Sequence, residues 1–392
     1  MYIRRNYIHY FFCLYRQNTI QLSYVIFWRY SILMEKKQVI KELNYIKGLA
    51  ILLVFIGHAS TPSFLHRPYA YEFIVQLIYS FHMSLFFLVS GFLSYKIIDI
   101  KLDKSYFNFI KSKFYRLGVP FLTISFITNT LIIILRYLLN TPLSKIELLN
   151  LIKTVFLYPE NGLMGALWFL YTLLIIFIIS PIILKLPFGI LIPVSLFLNI
   201  YTEKYINFLS ISRINFFLIY FLLGLYFRIN YFNKNKSILN KLSNSKKNIL
   251  FLFSLLCIIY YSYIITNQIY ISSYLLNTLN FICGLSATYI ILIFIKKFKN
   301  EKVKSFLYYL GRHSMDIYIF SWFFQISSMI LITKILNITN YNIFFTSNII
   351  IGSLCLPFSI YIIRKFNLLK FLFLGELSNK KNKITKSDLS SY

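Results

Sequence analysis

Residues 44–61 read NYIKGLAILLVFIGHAST. From Gly48 onward the run is almost wholly apolar, and with its flanks it approaches the ~20 residues a helix needs to cross a bilayer. Lys47 stands at its front and His58 lies deep within it. Comparable runs recur at about 73–95, 118–139, 165–183, 187–202, 214–228, 248–266, 272–295, 314–333 and 343–363. None alternates with the two-residue period of a barrel strand. Lipid admits only helices or closed barrels, because no water is present there to satisfy a bare backbone. The sequence therefore reads as an all-α, polytopic integral membrane protein of about ten transmembrane helices. A composition of 58% hydrophobic and 20% aromatic residues agrees, since a soluble domain would show shorter runs with amphipathic spacing.

A net charge of +29 first suggests a nucleic-acid partner. Placement argues against one, because the basic residues fall in short loops between apolar runs and not on a soluble face. With ten spans, 30 of the 41 lysines and arginines lie on one side and seven on the other, the remaining four falling in the first 33 residues. The positive-inside rule makes the rich side cytosolic and puts both termini there. Richness in lysine, asparagine and isoleucine points to an AT-rich bacterial genome, and so to a bacterial cytoplasmic membrane. The weakest joint is SPIILKLPFG around Lys185, which also fits a re-entrant turn. Residues 1–33 are interrupted by Arg16, Gln17, Asn18 and Gln21 and make a poor span and a poor signal peptide. They read as a mis-assigned start ahead of Met34, the alternative being a helix at the membrane surface. Residues 34–366 form the transmembrane domain and 367–392 a basic cytosolic tail. Cys257, Cys283 and Cys355 lie in apolar runs without a CxxC spacing, so they read as small buried hydrophobes.

Ionisable groups inside a span are costly and face a cavity or a partner. Eleven residues at 100° each are about three turns plus 20°, so Lys47 and His58 share a helix face about 16 Å apart along the axis. His82, in the next span, enters from the outer edge and reaches a similar depth. Both histidines suit general acid–base catalysis, an imidazole titrating near neutral pH; hydrogen bonds to neighbouring helices are the alternative. A metal site needs a third ligand and no carboxylate is placed for it, so no metal is expected. Lys113 and Arg116, in KSKFYRLGVPFL (111–122), mark the cytosolic mouth of the third span. They read either as ordinary anchors or, with Lys47, as a basic mouth for a phosphate-bearing donor. Ser90 and Gly91 interrupt the second span, as small residues do where helices approach closely.

These stretches together resemble the membrane-bound acyltransferase-3 family, whose first helix carries a basic residue, ten intervening residues and a histidine. Lys47 and His58 match that spacing. SFHMSLFFLVSGFL, YRLGVPFL, GALWFLYTLLI, FLLGLYFR and YLGRHSMDIYIFSWFFQ follow in the family's order, across about residues 40–365. Asn44 stands where aspartate is common, Ser84 where proline is common, and Ser321 where many members carry a histidine. The resemblance implies transfer of acetyl from acetyl-CoA to a hydroxyl of a capsule, exopolysaccharide or similar surface glycan, or of its lipid-linked precursor, in company with polysaccharide-assembly proteins. On that reading Lys47, Lys113 and Arg116 hold the CoA phosphates. His58 is the general base or the acyl carrier, His82 orients substrate or shares the proton, and Tyr45 and Trp168 line the substrate path. The competing reading is an exporter of polysaccharide or lipid-linked sugar, in which the histidines couple to protons.

Overall fold

The computed structural model describes residues 39, 41–59, 65–203, 207–233 and 243–377, with 231–233 as backbone only. Residues 1–33, expected to be a mis-assigned start, lie outside the described residues, as does the tail from 378 onward. Among the described residues every regular element is helical. Nine helical stretches among the described residues are long and apolar enough to span a membrane: Lys41–Ala59, Tyr69–Leu93, Lys104–Leu138, Gly165–Ile183, Phe208–Asn230, Asn244–Thr266, Ser273–Lys297, Ser314–Ile335 and Tyr341–Lys365. The chain is thus an all-α polytopic membrane protein. The tenth run, expected over 187–202, forms a helix of only 14 residues, Phe188–Tyr201, about 21 Å long and short of the ~30 Å hydrocarbon core.

Within these stretches we number α1 (Lys41–Ala59), α2 (Tyr69–Tyr79), α3 (His82–Leu93), α4 (Lys104–Lys113), α5 (Val119–Leu138), α6 (Lys145–Phe156), α7 (Trp168–Ile183) and α8 (Phe188–Tyr201). They continue as α9 (Ile211–Asn233), α10 (Asn244–Thr266), α11 (Ser273–Lys297), α12 (Glu301–Arg312), α13 (Ser314–Ile330), α14 (Tyr341–Lys365) and α15 (Asn367–Leu374). Apolar runs set the helices and polar caps set where they begin. Ser243, Ser272, Asn300 and Asn340 each accept a backbone N–H two or three residues on, at the starts of α10, α11, α12 and α14. Ser144 and Glu147 cap α6 reciprocally.

The core is built around α9, whose Tyr220, Phe221, Leu222 and Leu225 are fully enclosed. α3 packs closely along it. The approach is close because two glycines face backbone: a Cβ on Gly91 would lie 2.0 Å from Phe221 O, and one on Gly224 2.0 Å from Leu88 O. That is the expected use of a small residue at 91. Gly91→Ala forces the two backbones apart, and overpacking of this kind costs about 1–3 kcal/mol. A lower thermal midpoint in detergent, with Ser90→Ala unaffected because Ser90 is only partly buried, is the expected result.

Large apolar side chains on α5, α10 and α14, among them Phe126, Leu252, Leu256, Leu354 and Phe358, are left exposed as a lipid-facing belt. The start of the segment read as a tail forms α15, which packs on α5 and α14 and encloses Leu374. Cys283 is enclosed and its thiol donates to Cys257 O at 3.4 Å, while Cys257 and Cys355 are partly buried and all three are unbridged.

Candidate functional site

The second span is not one straight helix. Phe81, at φ −145° and ψ −20°, breaks it between α2 and α3, without a proline or a glycine at the break. Polar side chains occupy the carbonyls around it: Ser80 Oγ donates to Leu77 O at 2.7 Å and His82 Nδ1 to Ile78 O at 2.9 Å. A carbonyl only accepts, so Nδ1 carries the proton and the neutral ring keeps its lone pair on Nε2. Non-helical backbone at membrane depth is tolerated where it is enclosed by protein or lines a cavity.

Here it lines a cavity of about 390 Å3. His58, in the last turn of α1, and His82, first residue of α3, both face it. The ring of Tyr79 lies 6.0 Å from that of His58 and 5.2 Å from that of His82, so one tyrosine bridges the two imidazoles. The histidines are near enough to interact electrostatically. The end of α1 that carries His58 is fixed from outside. Gln325 on α13 donates to Phe55 O at 2.8 Å, and Asn348 on α14 donates to Ala59 O at 3.0 Å. Both amides are almost wholly buried and satisfy carbonyls near a helix end.

The far wall comes from the starts of α7, α9 and α11. Trp168 stacks on Phe217 at 5.4 Å, and the Arg213 guanidinium lies 4.7 Å over the Trp168 ring. Tyr318 on α13 donates its hydroxyl to Ala166 O. Asn277 donates to Ile200 O and Thr202 O, both at 3.0 Å, and Asn280 donates to Tyr261 Oη at 3.0 Å. The short reach of α8 matters here. It stops at Tyr201, and Thr202 immediately beyond it lines the cavity.

The basic residues read from the sequence stand elsewhere. Arg116 sits in a π-helical turn, Phe114–Gly118, between α4 and α5, a local geometry frequent at functional sites. It lies within electrostatic reach of both Lys47 and Lys113. Lys113 Nζ lies 4.0 Å over the Phe177 ring. Arg116 also donates to Glu376 at 2.6 Å and to Leu374 O at 3.2 Å. Gly375 makes this possible: its φ of 61° suits glycine, and a Cβ there would meet Tyr115 O at 1.8 Å. Glu376 further faces Arg364 at 3.7 Å and Lys370 at 3.8 Å.

The structure therefore brings His58, His82 and Trp168 to one cavity and gathers Lys47, Lys113 and Arg116 into a separate basic cluster outside it. Tyr45 joins neither group's lining; it packs edge-on against Tyr308 at 6.3 Å in an apolar cluster under α12. Ser321 is buried away from the cavity, while Tyr318, one turn earlier, lines it.

A bundle of apolar helices with a basic residue and a histidine eleven positions apart on α1 fits one family model, acyltransferase-3, described as an acyltransferase domain, which matches residues 40–364. The chain belongs to this acyltransferase family. It is a multi-pass membrane enzyme that moves an acyl group, other than an aminoacyl group, to an acceptor. Comparisons of this acyltransferase with curated proteins and with solved structures returned no significant match.

Proposed function

We propose that this acyltransferase carries acetyl from acetyl-CoA to a hydroxyl of a cell-surface polysaccharide or its lipid-linked precursor, in a bacterial cytoplasmic membrane. The observation that carries the reading is the meeting of His58 and His82 around Tyr79 at a cavity whose other walls are aromatic and amide-bearing. Such walls suit a sugar, which offers flat C–H faces to rings and hydroxyls to amides.

In the proposed reaction His58 takes the proton of the acceptor hydroxyl as its oxygen attacks the thioester carbonyl. The C–S bond breaks, CoA leaves as the thiolate, and the proton on His58 passes to that sulfur. His82, with its lone pair on Nε2, accepts a hydrogen bond from a neighbouring hydroxyl of the acceptor sugar and so orients the attacking one. Lys47 and Lys113, neither with an acidic partner among the described residues, bind the CoA phosphates with Arg116 at the other end. The pantetheine arm then runs along α1, on the face Lys47 shares with His58. A covalent acyl-imidazole on His58 is the other chemistry this geometry permits.

The test uses the whole chain in nanodiscs with radiolabelled acetyl-CoA and surface polysaccharide purified from a strain lacking the gene. Label in the polysaccharide, with one free CoA thiol per acetyl moved, is expected. No label in the polysaccharide, coupled with polysaccharide crossing the membrane of proteoliposomes, contradicts the reading and favours an exporter.

Gln325 and Asn348 act through His58 by holding the end of α1. Asn348→Leu removes one buried hydrogen bond, about 1–3 kcal/mol. It is expected to lower kcat roughly tenfold with the KM for acetyl-CoA unchanged, and Asn348→Gln to recover part of the loss. Equal falls in kcat for Asn348→Leu and for Ser353→Ala, on a partly lipid-facing part of the same helix, would show general damage to α14 instead.

A further inference from the structure

Arg213 is the one lysine, arginine, aspartate or glutamate among the residues lining the cavity. It is held in place by two contacts. Its guanidinium lies 4.7 Å over the Trp168 ring, and its Nε donates to Glu160 Oε2 at 3.2 Å. The carboxylate engages Nε alone, so the two terminal nitrogens have no hydrogen-bond partner among the described residues. A guanidinium fixed flat with its fork free matches the geometry of a carboxylate or a phosphate.

A second, independent feature of the same wall points to a ligand. Asn277 is 1% exposed, and its amide nitrogen is spent on Ile200 O and Thr202 O. Those two bonds fix which way the amide lies, and its Oδ1 is left buried with no partner although the residue lines the cavity. A buried acceptor of this kind is costly to leave empty. A sugar hydroxyl donates to it.

We propose that this wall is the acceptor subsite and that Arg213 there binds an oxyanion on the acceptor, either the carboxylate of an acidic sugar or the phosphate of a lipid-linked one. The inference rests on the acyl-transfer reading in taking the ligand to be a glycan. Trp168 stacks on a sugar face, Asn277 Oδ1 accepts a hydroxyl, and Arg213 selects for charge.

The test reads binding without any acyl donor, through fluorescence of Trp168 in the full chain in nanodiscs, with Trp168→Phe as the blank. Three probes are used: a glucuronate-containing tetrasaccharide, the same tetrasaccharide with its carboxyls reduced to alcohols, and a prenyl-phosphate-linked glucose. The wild type is expected to bind one of the anionic probes at least about tenfold tighter than the neutral one. Arg213→Gln is expected to bring that ratio close to one with neutral binding kept, and Arg213→Lys to restore part of it. A preference for the glucuronate places the anion on the sugar; a preference for the prenyl phosphate places it on the carrier. Equal binding of all three by the wild type, or an unchanged preference in Arg213→Gln, overturns the proposal. A protein that selects the anion through Arg213 yet moves no acetyl leaves this subsite standing and removes the acetyl-transfer reading alone.

Discussion

His58→Ala is expected to lower kcat for acyl transfer at least about a hundredfold, with the KM for the donor changed less than about twofold. The basis for the size is the role proposed for the imidazole: a positioned base contributes 10²–10⁴-fold. The basis for the split is distance. Lys47 and His58 stand about 16 Å apart on α1, so a change at the histidine leaves the basic cluster untouched. His58→Gln, similar in size and unable to take the proton, is expected to be as inactive. Steady-state kinetics in nanodiscs, at matched protein amount and thermal midpoint, is the measurement. A rate within tenfold of wild type for either variant removes His58 from the chemistry. His82→Ala is expected to fall between the two extremes, since its Nδ1 is committed to Ile78 O and only Nε2 is available to a ligand.

The second large effect concerns stability. Asp316, near the start of α13, is fully enclosed and takes a two-pronged contact from Arg364 on α14, at 3.1 and 2.8 Å, with His313 Nδ1 at 3.5 Å. Removing one member of a buried ion pair leaves the other desolvated without compensation, typically a loss of about 3–5 kcal/mol. Arg364 is 29% exposed and keeps Glu376 at 3.7 Å, so Asp316→Leu is expected near the lower end, about 3 kcal/mol. The double change Asp316→Leu with Arg364→Met replaces the pair by apolar groups and is expected to recover most of the loss. Thermal unfolding of the four proteins in one detergent gives the coupling directly. Additive losses, with the double variant worse than either single one, would mean that the pair contributes nothing to the α13–α14 interface.

Most of the helical layout was legible in the sequence, because apolar runs of span length admit few other structures in lipid. His58 and His82 were legible as well, as ionisable groups within spans; Trp168 entered only with Tyr45 through the family resemblance, and of the two only Trp168 lines the cavity. The break before His82 was not legible. LIYSFHM contains neither proline nor glycine, and the turn is stabilised by side chains of Ser80 and His82 that only the folded chain brings to its carbonyls. Asn277 and Asn280 were missed although a signal existed: two amides three residues apart share a face of an otherwise apolar span, which is costly unless that face is polar. Gln325 and Asn348 carry the same signal singly. Arg213 entered the reading only as a charge on the poor side of the membrane, because nothing in its neighbours announced Trp168 or Glu160 as partners across more than forty residues of chain. Glu376 was hidden for a related reason, since the turn at Gly375 that aims it at Arg116 depends on where α15 packs.

The most direct test is made in cells. Acetyl ester on purified surface polysaccharide is measured by proton NMR in strains with the gene deleted, complemented from Met34, and complemented from Met34 with His58→Ala at equal membrane abundance. Acetate that disappears on deletion, returns with the wild-type chain and fails to return with His58→Ala is the expected result. Acetate unchanged in all three strains, with polysaccharide accumulating inside the deleted one, would contradict acyl transfer to the glycan and make the histidine cavity part of a transport path.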